Sequence, residues 1–346
     1  MKIVIAPDSF KECMSSEAVS AEMAEAVRES CPDAEIVEIP LADGGEGTLG
    51  VLLAATGAQL HRVPVKDPLG RPISAGFGQK GKLGIIETAS ACGLSLLAKD
   101  ERNPLEASTY GVGELIMAAY EAGCRRLLIG LGGSATCDGG AGMLSVPGVK
   151  AALKDMEVEI LCDVDSPLTG PEGAARVFAP QKGASPEEVE MLEEKLSRMA
   201  EEMKEETGKD VSGMPGAGAA GGLGAALMAY SDATVVSGIG RIMDLSDFDD
   251  AVDGAVLVIT GEGHTDAQTL AGKLPLGVLR KAKVHDKDIR VALVSGRIDN
   301  GIEASLRDAG FTDICQATPD GIPVCEAIRP ENARIYIKEA IKRLLS

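Results

Sequence analysis

Carboxylate and lysine side chains stand beside glycines in residues 261–273, and these residue types suit phosphate chemistry. Residues 261–266 read GEGHTD, and Lys273 follows a few positions later. Carboxylates coordinate magnesium, and a lysine counters phosphate charge in reactions that depend mainly on positioning and charge neutralisation. Glu262 and Asp266 could therefore coordinate magnesium and Lys273 could counter phosphate charge, although this segment does not settle a reaction by itself.

A second polar loop, Ala6–Lys11, follows the first predicted strand directly. Loops at the carboxyl ends of parallel strands face the ligand crevice of an α/β sheet. Asp8, Ser9 and Lys11 could there bind a hydroxyl, a phosphate or a magnesium-bound water. The simpler alternative, in which Pro7 turns the chain and Asp8 or Ser9 caps the next helix, stays open at this point.

Residues 41–48, LADGGEGT, place two acids among three glycines before a helical pattern at Leu49–Ala55. Glycines let backbone amides approach an anion at the start of a helix. Because Asp43 and Glu46 lie in the same loop, a metal–phosphate complex or the hydroxyls of a substrate fit better than bare phosphate.

The longest glycine-rich stretch, residues 129–142, reads IGLGGSATCDGGAG. A strand followed by a Gly-Gly-Ser turn can form a nest of backbone amides for an oxyanion or a phosphate. The stretch matches neither the Walker A pattern, nor a dinucleotide fingerprint with its ribose-binding acid, nor the GxSxG elbow of serine hydrolases. Its candidate residues are Gly132, Gly133, Ser134 and Asp138.

Three further segments complete the set of candidates. Residues 162–165 carry the acids Asp163 and Asp165 after a predicted strand, and residues 179–183 contribute Gln181 and Lys182. Residues 216–224 are small and without polar side chains, which favours tight packing of a helix over a nucleotide contact.

Alternating short apolar runs and helical segments predict an α/β protein. Several of the apolar runs are continuous, as expected of parallel strands that are covered on both faces. The predicted strands are Lys2–Ala6, Glu35–Ile39, Leu83–Glu87, Arg126–Leu131, Val158–Cys162, Ala255–Thr260, Arg290–Ser295 and Thr312–Gln316.

Helices are predicted at Ser16–Ser30, Gly111–Ala122, Leu274–Lys283 and Pro186–Thr207. The last of these is the clearest, because Ser185 and Glu188 form a capping box and Pro186 occupies the first turn. Its apolar residues recur on one stripe, which predicts ordinary core packing rather than a coiled coil.

The strand–helix regions 1–62 and 252–346 predict one discontinuous, Rossmann-like domain with a parallel sheet. Residues 63–251 have a different sequence pattern, with a predicted β-hairpin around Val63–Glu87, long glycine loops and an acidic helix. We interpret them as an inserted second α/β domain. Clefts between such domains are common locations of substrate sites, so we expect the active site in the interdomain cleft.

Composition limits the classes of partner. The chain has 53 acidic against 34 basic residues, giving a formal charge of −19, so we expect no nucleic-acid partner. Its 42 glycines contrast with five Phe, four Tyr and no Trp, which leaves few stacking platforms.

The cysteines and the apolar runs indicate where in the cell the protein is located. Eight scattered cysteines show no CxxC pair and no zinc spacing. The opening strand lacks a signal-peptide core, and no apolar run approaches the roughly 20 residues of a membrane span. We expect reduced thiols, a cytoplasmic location and no membrane partner.

Nine motifs, which follow one another from one end of the chain to the other, resemble the bacterial glycerate kinase family. Singly they are modest, but together and in order they are specific. They are PDSFK (7–11), PLADGGEGT (40–48), DPLGRP (67–72), ETASACGL (87–94), STYGVGELI (108–116), GGSATCDGGAGM (132–143), CDVDSPLTGP (162–171), FAPQKGA (178–184) and GEGHTDAQTLAGK (261–273).

The resemblance implies a two-domain kinase that phosphorylates D-glycerate with ATP and magnesium, at the 2-hydroxyl rather than the 3-hydroxyl, in organic acid and glyoxylate metabolism. A homodimer is one possible oligomeric state. The motif positions give as catalytic candidates Asp163, Asp138 and Lys11; as substrate-binding candidates Asp8, Ser9, Asp43, Glu46, Ser134, Gln181 and Lys182; as cofactor contacts Gly132, Gly133, Gly261, Gly263 and Lys273; and as metal ligands Glu262 and Asp266.

The sequence departs from the family pattern at four places. Cys137 stands where members usually have Asn, and His264 stands where they usually have Arg. The segment after Met143 is shortened to Ser145–Glu157, and the loop Lys11-Glu12-Cys13 replaces a usual Lys-Gly start. Our hypothesis is a glycerate kinase in which Asp163 or Asp138 accepts the proton of the substrate hydroxyl. A kinase for a related small hydroxy or sugar acid, and a non-catalytic binder of carboxylate metabolites, remain the alternatives.

Overall fold

The computed structural model describes residues 1–346, and these form two compact units. Unit 1 comprises Met1–Asp43 and Ile239–Ser346, and unit 2 comprises Gly44–Gly238. The units differ from the predicted domain limits because a strand that begins at Gln59 pairs within unit 2, which assigns residues 44–62 to that unit. The domain limits 1–62 with 252–346, and 63–251, stay a prediction.

Unit 1 is built on a five-stranded sheet in the order β11-β10-β9-β1-β2, in which every neighbouring pair is parallel. Its elements, in chain order, are β1 (Lys2–Ile5), α1 (Ser16–Ser30), β2 (Glu35–Glu38), α10 (Gly238–Leu245, which begins at the last residue of unit 2), α11 (Phe248–Val252), β9 (Ala255–Thr265), α12 (Ala267–Leu270), α13 (Leu274–His285), β10 (Arg290–Ile298), α14 (Glu303–Ala309), β11 (Asp313–Gln316), α15 (Val324–Ala327) and α16 (Pro330–Leu345).

The chain order of this sheet reverses between β1 and β9. β2 lies on one side of β1, whereas β9, β10 and β11 follow one another outwards on the other side. In open parallel sheets, ligands bind outside the carboxyl ends of the strands at such a switch point. The loop after β1 and the end of β9 are therefore the expected site of unit 1.

Unit 2 is built on a six-stranded sheet in the order β3-β4-β5-β6-β7-β8. The pairs β3–β4 and β4–β5 are antiparallel, and the other pairs are parallel. Its elements, in chain order, are α2 (Thr48–Thr56), β3 (Gln59–Lys66), β4 (Pro72–Lys80), β5 (Leu83–Glu87), α3 (Ala89–Cys92), α4 (Tyr110–Glu121), β6 (Arg126–Gly130), α5 (Ala141–Ser145), α6 (Val149–Lys154), β7 (Glu157–Leu161), α7 (Ala174–Phe178), α8 (Pro186–Thr207), α9 (Ala219–Tyr230) and β8 (Thr234–Val236), with 3₁₀ turns at Leu94–Leu96, Lys99–Glu101 and Pro180–Lys182.

Each unit has its own apolar core. In unit 1, buried residues of β1, β9 and β10 pack with those of α1 and α16. In unit 2, the helices α4, α8 and α9 contribute the largest share of a separate cluster. A parallel sheet in unit 1 and a mixed, mainly parallel sheet in unit 2, each with helices, confirm the predicted α/β class.

Two helix predictions are confirmed to the residue. α1 spans Ser16–Ser30, and α8 spans Pro186–Thr207 with the predicted reciprocal hydrogen bonds between Ser185 and Glu188. Capping groups fix both starts, because they satisfy amides that the first turn leaves without partners.

Strand β9 runs further than predicted. It continues from Thr260 to Thr265, because Gly261, Glu262 and His264 pair with Val294, Ser295 and Arg297 of β10. The prediction placed residues 261–265 in a loop, since glycines have a low strand propensity, but pairing along the extended β10 overrides it. No helix of the protein is both long enough and apolar enough to cross a bilayer.

Candidate active site

A pocket of about 780 Å³ opens in unit 1 at the carboxyl ends of β1, β9, β10 and β11. One half of it is charged, and we call this half the acid–lysine end. It is lined by Asp8, Lys11, Asp43, Glu262 and Lys273. Five of the residues predicted from separate motifs thus share one pocket.

Asp8 is a buried acid of this end, with 7% of its surface exposed. Its backbone N–H donates to the carbonyl of Gly261 at 2.8 Å, and its carboxylate accepts from the N–H of Ser9 at 2.7 Å. Burial and the neighbouring charge of Asp43 raise the pKa of Asp8 to about 7, which the charge of Lys11 only partly offsets. Asp8 therefore exchanges its proton near neutral pH, as a general base must.

The alternative role for this loop, as the cap of the next helix, is wrong. The N-cap of α1 is Ser15, whose side chain accepts from the N–H of Ala18. Asp8 and Ser9 lie several residues before that cap and line the pocket instead.

Lys11 and Asp43 form an ion pair across the acid–lysine end, with Nζ and Oδ2 3.3 Å apart. The charge of Asp43 is the main reason that the pKa of Lys11 is raised. Lys11 remains largely exposed, so its ammonium is available to an anion in the pocket while it balances the acids beside it.

Glu262 and Asp266 were both predicted as metal ligands, but their carboxylates have different hydrogen-bond partners. Oε1 of Glu262 accepts from the hydroxyls of Thr265 and Thr269, while Oε2 lies 4.0 Å from Nζ of Lys273. Burial raises the pKa of Glu262. Its second oxygen faces the lysine side of the pocket.

Asp266 is the N-cap of α12. Its Oδ1 accepts from the N–H groups of Gln268 and Thr269 and from Nζ of Lys273 at 2.9 Å. Burial alone would raise the pKa of Asp266, but these hydrogen bonds and the charge of Lys273 lower it below its usual range. Oδ1 of Asp266 thus positions Lys273, and Asp266 does not line the pocket.

The predicted nucleotide glycines of unit 1 serve backbone packing. A Cβ on Gly261 would lie 2.1 Å from the carbonyl oxygen of Val294, and a Cβ on Gly263 would lie 3.3 Å from the backbone of Phe10 and Lys11. Gly263 also lines the pocket. Glycine here lets the β1 loop and β10 approach β9, which shapes the pocket.

His264 lies at the rim of the pocket, where its Nε2 is 2.8 Å from Oδ1 of Asp299. It is therefore in a position to affect ligands of unit 1. Cys137, the other changed family position, belongs to unit 2 and is wholly buried, which raises the pKa of its thiol to about 11.

In unit 2 the glycines after β6 pack against the loop that precedes α2. The N–H of Gly132 donates to the carbonyl of Gly44 at 3.0 Å, and a Cβ on Gly132 would lie 2.5 Å from Cα of Gly45. Gly133 has a φ of 75°, in the left-handed region that favours glycine. These residues hold Ser134 at the end of the turn.

Lys182 anchors the same turn from inside the unit. Its Nζ donates to Oγ of Ser134 at 2.9 Å and to the carbonyl of Thr136 at 2.7 Å, and only 4% of its surface is exposed. Burial lowers the pKa of Lys182. It supports Ser134 from behind, rather than extending into solvent as a substrate-binding lysine would.

Asp138 has four hydrogen bonds within the same region. Its carboxylate accepts from the N–H and hydroxyl of Thr109 and from the N–H groups of Gly140 and Gly142, all within 3.0 Å. A carboxylate with both oxygens so occupied positions the loop, which argues against its predicted role as proton acceptor.

The remaining candidates of unit 2 are exposed. Asp163 follows β7 and accepts from the hydroxyl of Ser237 at 2.7 Å. Glu46 and Gln181 lie in the loop before α2 and in the 3₁₀ turn at Pro180–Lys182. The small residues 216–224 do pack tightly, since a Cβ on Gly221 would lie 2.0 Å from the carbonyl oxygen of Thr136.

Sequence reasoning missed the other half of the unit 1 pocket. This half follows the carboxyl ends of β10 and β11, and α15 and α16 complete it. No motif marks these residues, but the rule that selected the β1 loop applies equally to the ends of two strands that were predicted. We call it the apolar end after its apolar residues Ile298, Ile322, Val324, Ala327, Ile328 and Tyr336; the charged residues Arg297, Asp299 and Asp320 line the same half.

Known proteins resemble this chain over nearly its whole length. The model of the glycerate kinase family matches residues 3–152 and 144–346. The glycerate kinase of Bacillus subtilis is 39% identical over 99% of this chain and 96% of its own, and the glycerate 2-kinase of Escherichia coli is 42% identical over 84% of each. The crystal structure of a provisionally assigned glycerate kinase 2 from Salmonella typhimurium LT2 superposes with a TM-score of 0.80 and 36% identity, covering 100% of this chain and 97% of that one.

A family model that spans the chain, together with relatives near 40% identity, settles the relationship that the motifs indicated. The protein belongs to the glycerate kinase family.

Proposed function

We propose that the protein is an ATP-dependent kinase that phosphorylates D-glycerate at its 2-hydroxyl. The observation that carries the proposal is the acid–lysine end of the unit 1 pocket, in which a buried acid with a pKa of about 7 lies beside Lys11 and Lys273. A proton acceptor and cations for phosphate are what phosphoryl transfer to an alcohol requires.

Asp8 is the proposed proton acceptor. It is buried at the switch point of the sheet, and its carboxylate keeps one oxygen free of the Ser9 hydrogen bond. Ionised Asp8 would orient the substrate hydroxyl and take its proton as the bond to phosphorus forms. Asp163, the exposed candidate from the sequence, stays a proposal and is tested alongside it.

Lys11 and Lys273 are the proposed counter-charges for phosphate oxygens. Both line the acid–lysine end, and each is positioned by a carboxylate, Asp43 for Lys11 and Asp266 for Lys273. Preorganised cations of this kind stabilise charge that develops in the transition state without reorganising.

The donor set of this end also fits magnesium carried by ATP. No group of three or more His, Cys, Asp or Glu side chains could hold a metal ion by itself. Magnesium in kinases is usually held by only one or two carboxylates besides phosphate oxygens and water, and Asp43 and Glu262 would supply these. When bound, magnesium would neutralise phosphate charge; Asp266, occupied as a helix cap, is not proposed as a ligand.

The candidates of unit 2 are proposed to bind glycerate, with Ser134, Glu46 and Gln181 as direct contacts and Lys182 as the support of Ser134. The predicted placement of the active site in a cleft between domains, and a homodimer, stay predictions. A cytoplasmic location is part of the proposal, and the eight unpaired cysteines support it.

A coupled assay for ADP release tests the proposal. D-glycerate, L-glycerate and other small hydroxy acids are each supplied with ATP and magnesium. The proposal requires the highest kcat/KM with D-glycerate. A higher kcat/KM with another acid would favour the related-acid kinase, whereas ligand-dependent thermal stabilisation without ADP release would favour the non-catalytic binder.

A further inference from the structure

We propose that the adenosine part of ATP binds in the apolar end of the unit 1 pocket. The inference rests on the proposed function in one respect, namely that ATP is the phosphoryl donor. It adds the location of the nucleoside, which no motif of the sequence marks.

The size of the pocket is the first argument. About 780 Å³ lies within the range of pockets that enclose drug-sized or nucleotide-sized ligands. A three-carbon acid would fill only a small part of it. The acid–lysine end is enough for phosphates, and the remaining volume has room for a second, larger chemical group.

The chemistry of the apolar end selects that group. Ile298, Ile322 and Ile328 are partly exposed on its wall, and Val324 has 56% of its surface exposed. Apolar side chains gathered in a concave site gain free energy when a flat ligand covers them. A purine has two flat faces that can cover these side chains. Asn300 on the same rim provides a polar side chain for the ribose hydroxyls.

The wall is held in place by hydrogen bonds, so the site exists before a ligand binds. Gln316 accepts from the N–H of Ile298 at 2.9 Å and donates to the carbonyl of Thr318 at 2.9 Å and to Asp320 at 3.1 Å. The N–H of Thr318 donates to the carbonyl of Gly296 at 3.1 Å. A preformed wall reduces the entropy lost on binding.

The two ends of the pocket are continuous, which matches the shape of ATP. Lys11, Lys273 and Gly263 lie at one end and the apolar wall at the other. A triphosphate at the acid–lysine end would therefore direct its nucleoside along the wall of unit 1.

Titration calorimetry with the full-length protein, without glycerate, tests the proposal. The ligands are ADP and inorganic tripolyphosphate, which lacks the nucleoside. Val324→Asn removes an apolar contact at an exposed position, and Ala327→Trp fills the pocket from α15. Val284→Asn is the matched control, because Val284 is 85% exposed on α13 and does not line the pocket.

We expect Val324→Asn to raise the Kd of ADP about tenfold, and Ala327→Trp to raise it further, because burial of one valine side chain is worth about that factor. The Kd of tripolyphosphate should stay within about twofold in both variants, and Val284→Asn should change neither ligand. If Ala327→Trp does not fold, the exposed Val324→Asn decides alone.

An ADP Kd within about twofold of the wild type in every folded pocket variant would overturn the proposal, as would an equal weakening of ADP and tripolyphosphate. Turnover of glycerate by the wild type is measured separately. ADP binding that depends on Val324 in a protein that phosphorylates no glycerate would support the nucleoside site and refute the proposed function. Glycerate turnover with an unchanged ADP Kd in the variants would do the reverse.

Discussion

Asp8 is the acid of the unit 1 pocket whose pKa is raised most by its surroundings. It is 7% exposed, lies beside Asp43, and has its pKa raised to about 7 by burial and that neighbouring charge. Groups held in such environments are common where proton transfer occurs, because a base works best with a pKa near the working pH.

The first prediction concerns turnover by Asp8→Asn. Loss of a positioned base should reduce kcat by about 10²–10⁴-fold. In the wild type, kcat/KM should fall as the pH drops below about 7, because protonated Asp8 cannot accept a proton. The variant should lose this pH dependence. Asp163→Asn, measured in parallel, should keep it; loss of the dependence in Asp163→Asn alone would reassign the base.

The second prediction concerns stability of the same variant. A carboxyl whose folded pKa is raised stabilises the fold when protonated, and that contribution disappears as the pH rises from the unfolded value near 3.8 through about 7. Asn mimics the protonated form and can still accept from Ser9. We therefore expect Asp8→Asn to raise the free energy of unfolding by about 2–4 kcal/mol at pH 8.

Urea denaturation at pH 8 and pH 4 measures this effect. At pH 4 the gain should nearly vanish, since the wild-type carboxyl is then largely protonated in the folded protein. A variant less stable than the wild type at pH 8 would contradict the assignment of Asp8 as a destabilised, functional acid.

At the scale of elements, close backbone contacts shape the loops. Gly132 is the clearest case, since a Cβ there would lie 2.5 Å from Cα of Gly45 and 2.8 Å from its nitrogen. Backbone atoms on both sides cannot move as a flexible side chain would, so any added atom must displace a loop.

Gly132→Ala should lower the free energy of unfolding by about 1–3 kcal/mol through overpacking. It should also raise the KM for glycerate, because the displaced turn carries Ser134. The matched control is Gly213→Ala, where nothing lies within 4 Å of the added methyl and φ is not positive. That control should be neutral or slightly stabilising; equal losses in both variants would contradict the account of this contact.

The loop after β1 contains a strained residue at Glu12, which has a φ of 61°. A non-glycine residue in the left-handed region costs roughly 1–2 kcal/mol, while glycine costs about 0.5–1 kcal/mol in unfolded-state entropy. Glu12→Gly should therefore stabilise the protein by about 0.5–1 kcal/mol, whereas Glu12→Ala, which keeps the strain, should not. Thermal unfolding of both variants distinguishes relief of strain from mere removal of a charge.

The elements also show how far sequence reasoning reaches. Caps and periodicity determined α1 and α8 to the residue, because capping hydrogen bonds are local. The end of β9 was placed too early, since its last five residues are strand only through pairing with β10. Helix α16 was missed, although Pro330 occupies its first turn, as in many helices.

The positions of the candidate site residues could be predicted from the sequence, whereas their roles could not. Strand ends located Asp8, Asp43, Glu262 and Lys273, which do share one pocket. Their individual roles depend on partners that are distant in sequence or on local caps. Asp138 accepts four hydrogen bonds from Thr109 and from its own loop, and Asp266 caps α12.

At the scale of the whole molecule, a chain of charge −19 that is proposed to bind two anionic substrates must rely on local charges. Lys11 and Lys273 supply them in unit 1. Many of the 42 glycines adopt a positive φ in turns, and others, such as Gly132 and Gly261, let two backbones approach closely.

The central claim is phosphorylation of D-glycerate at the 2-hydroxyl. The most direct test is ³¹P NMR of the products that the purified protein forms from D-glycerate, ATP and magnesium, with authentic 2- and 3-phosphoglycerate as standards. We predict the resonance of 2-phosphoglycerate, appearing in step with ADP. A product at the position of 3-phosphoglycerate, or no new phosphate ester beside unconsumed ATP, would contradict the claim.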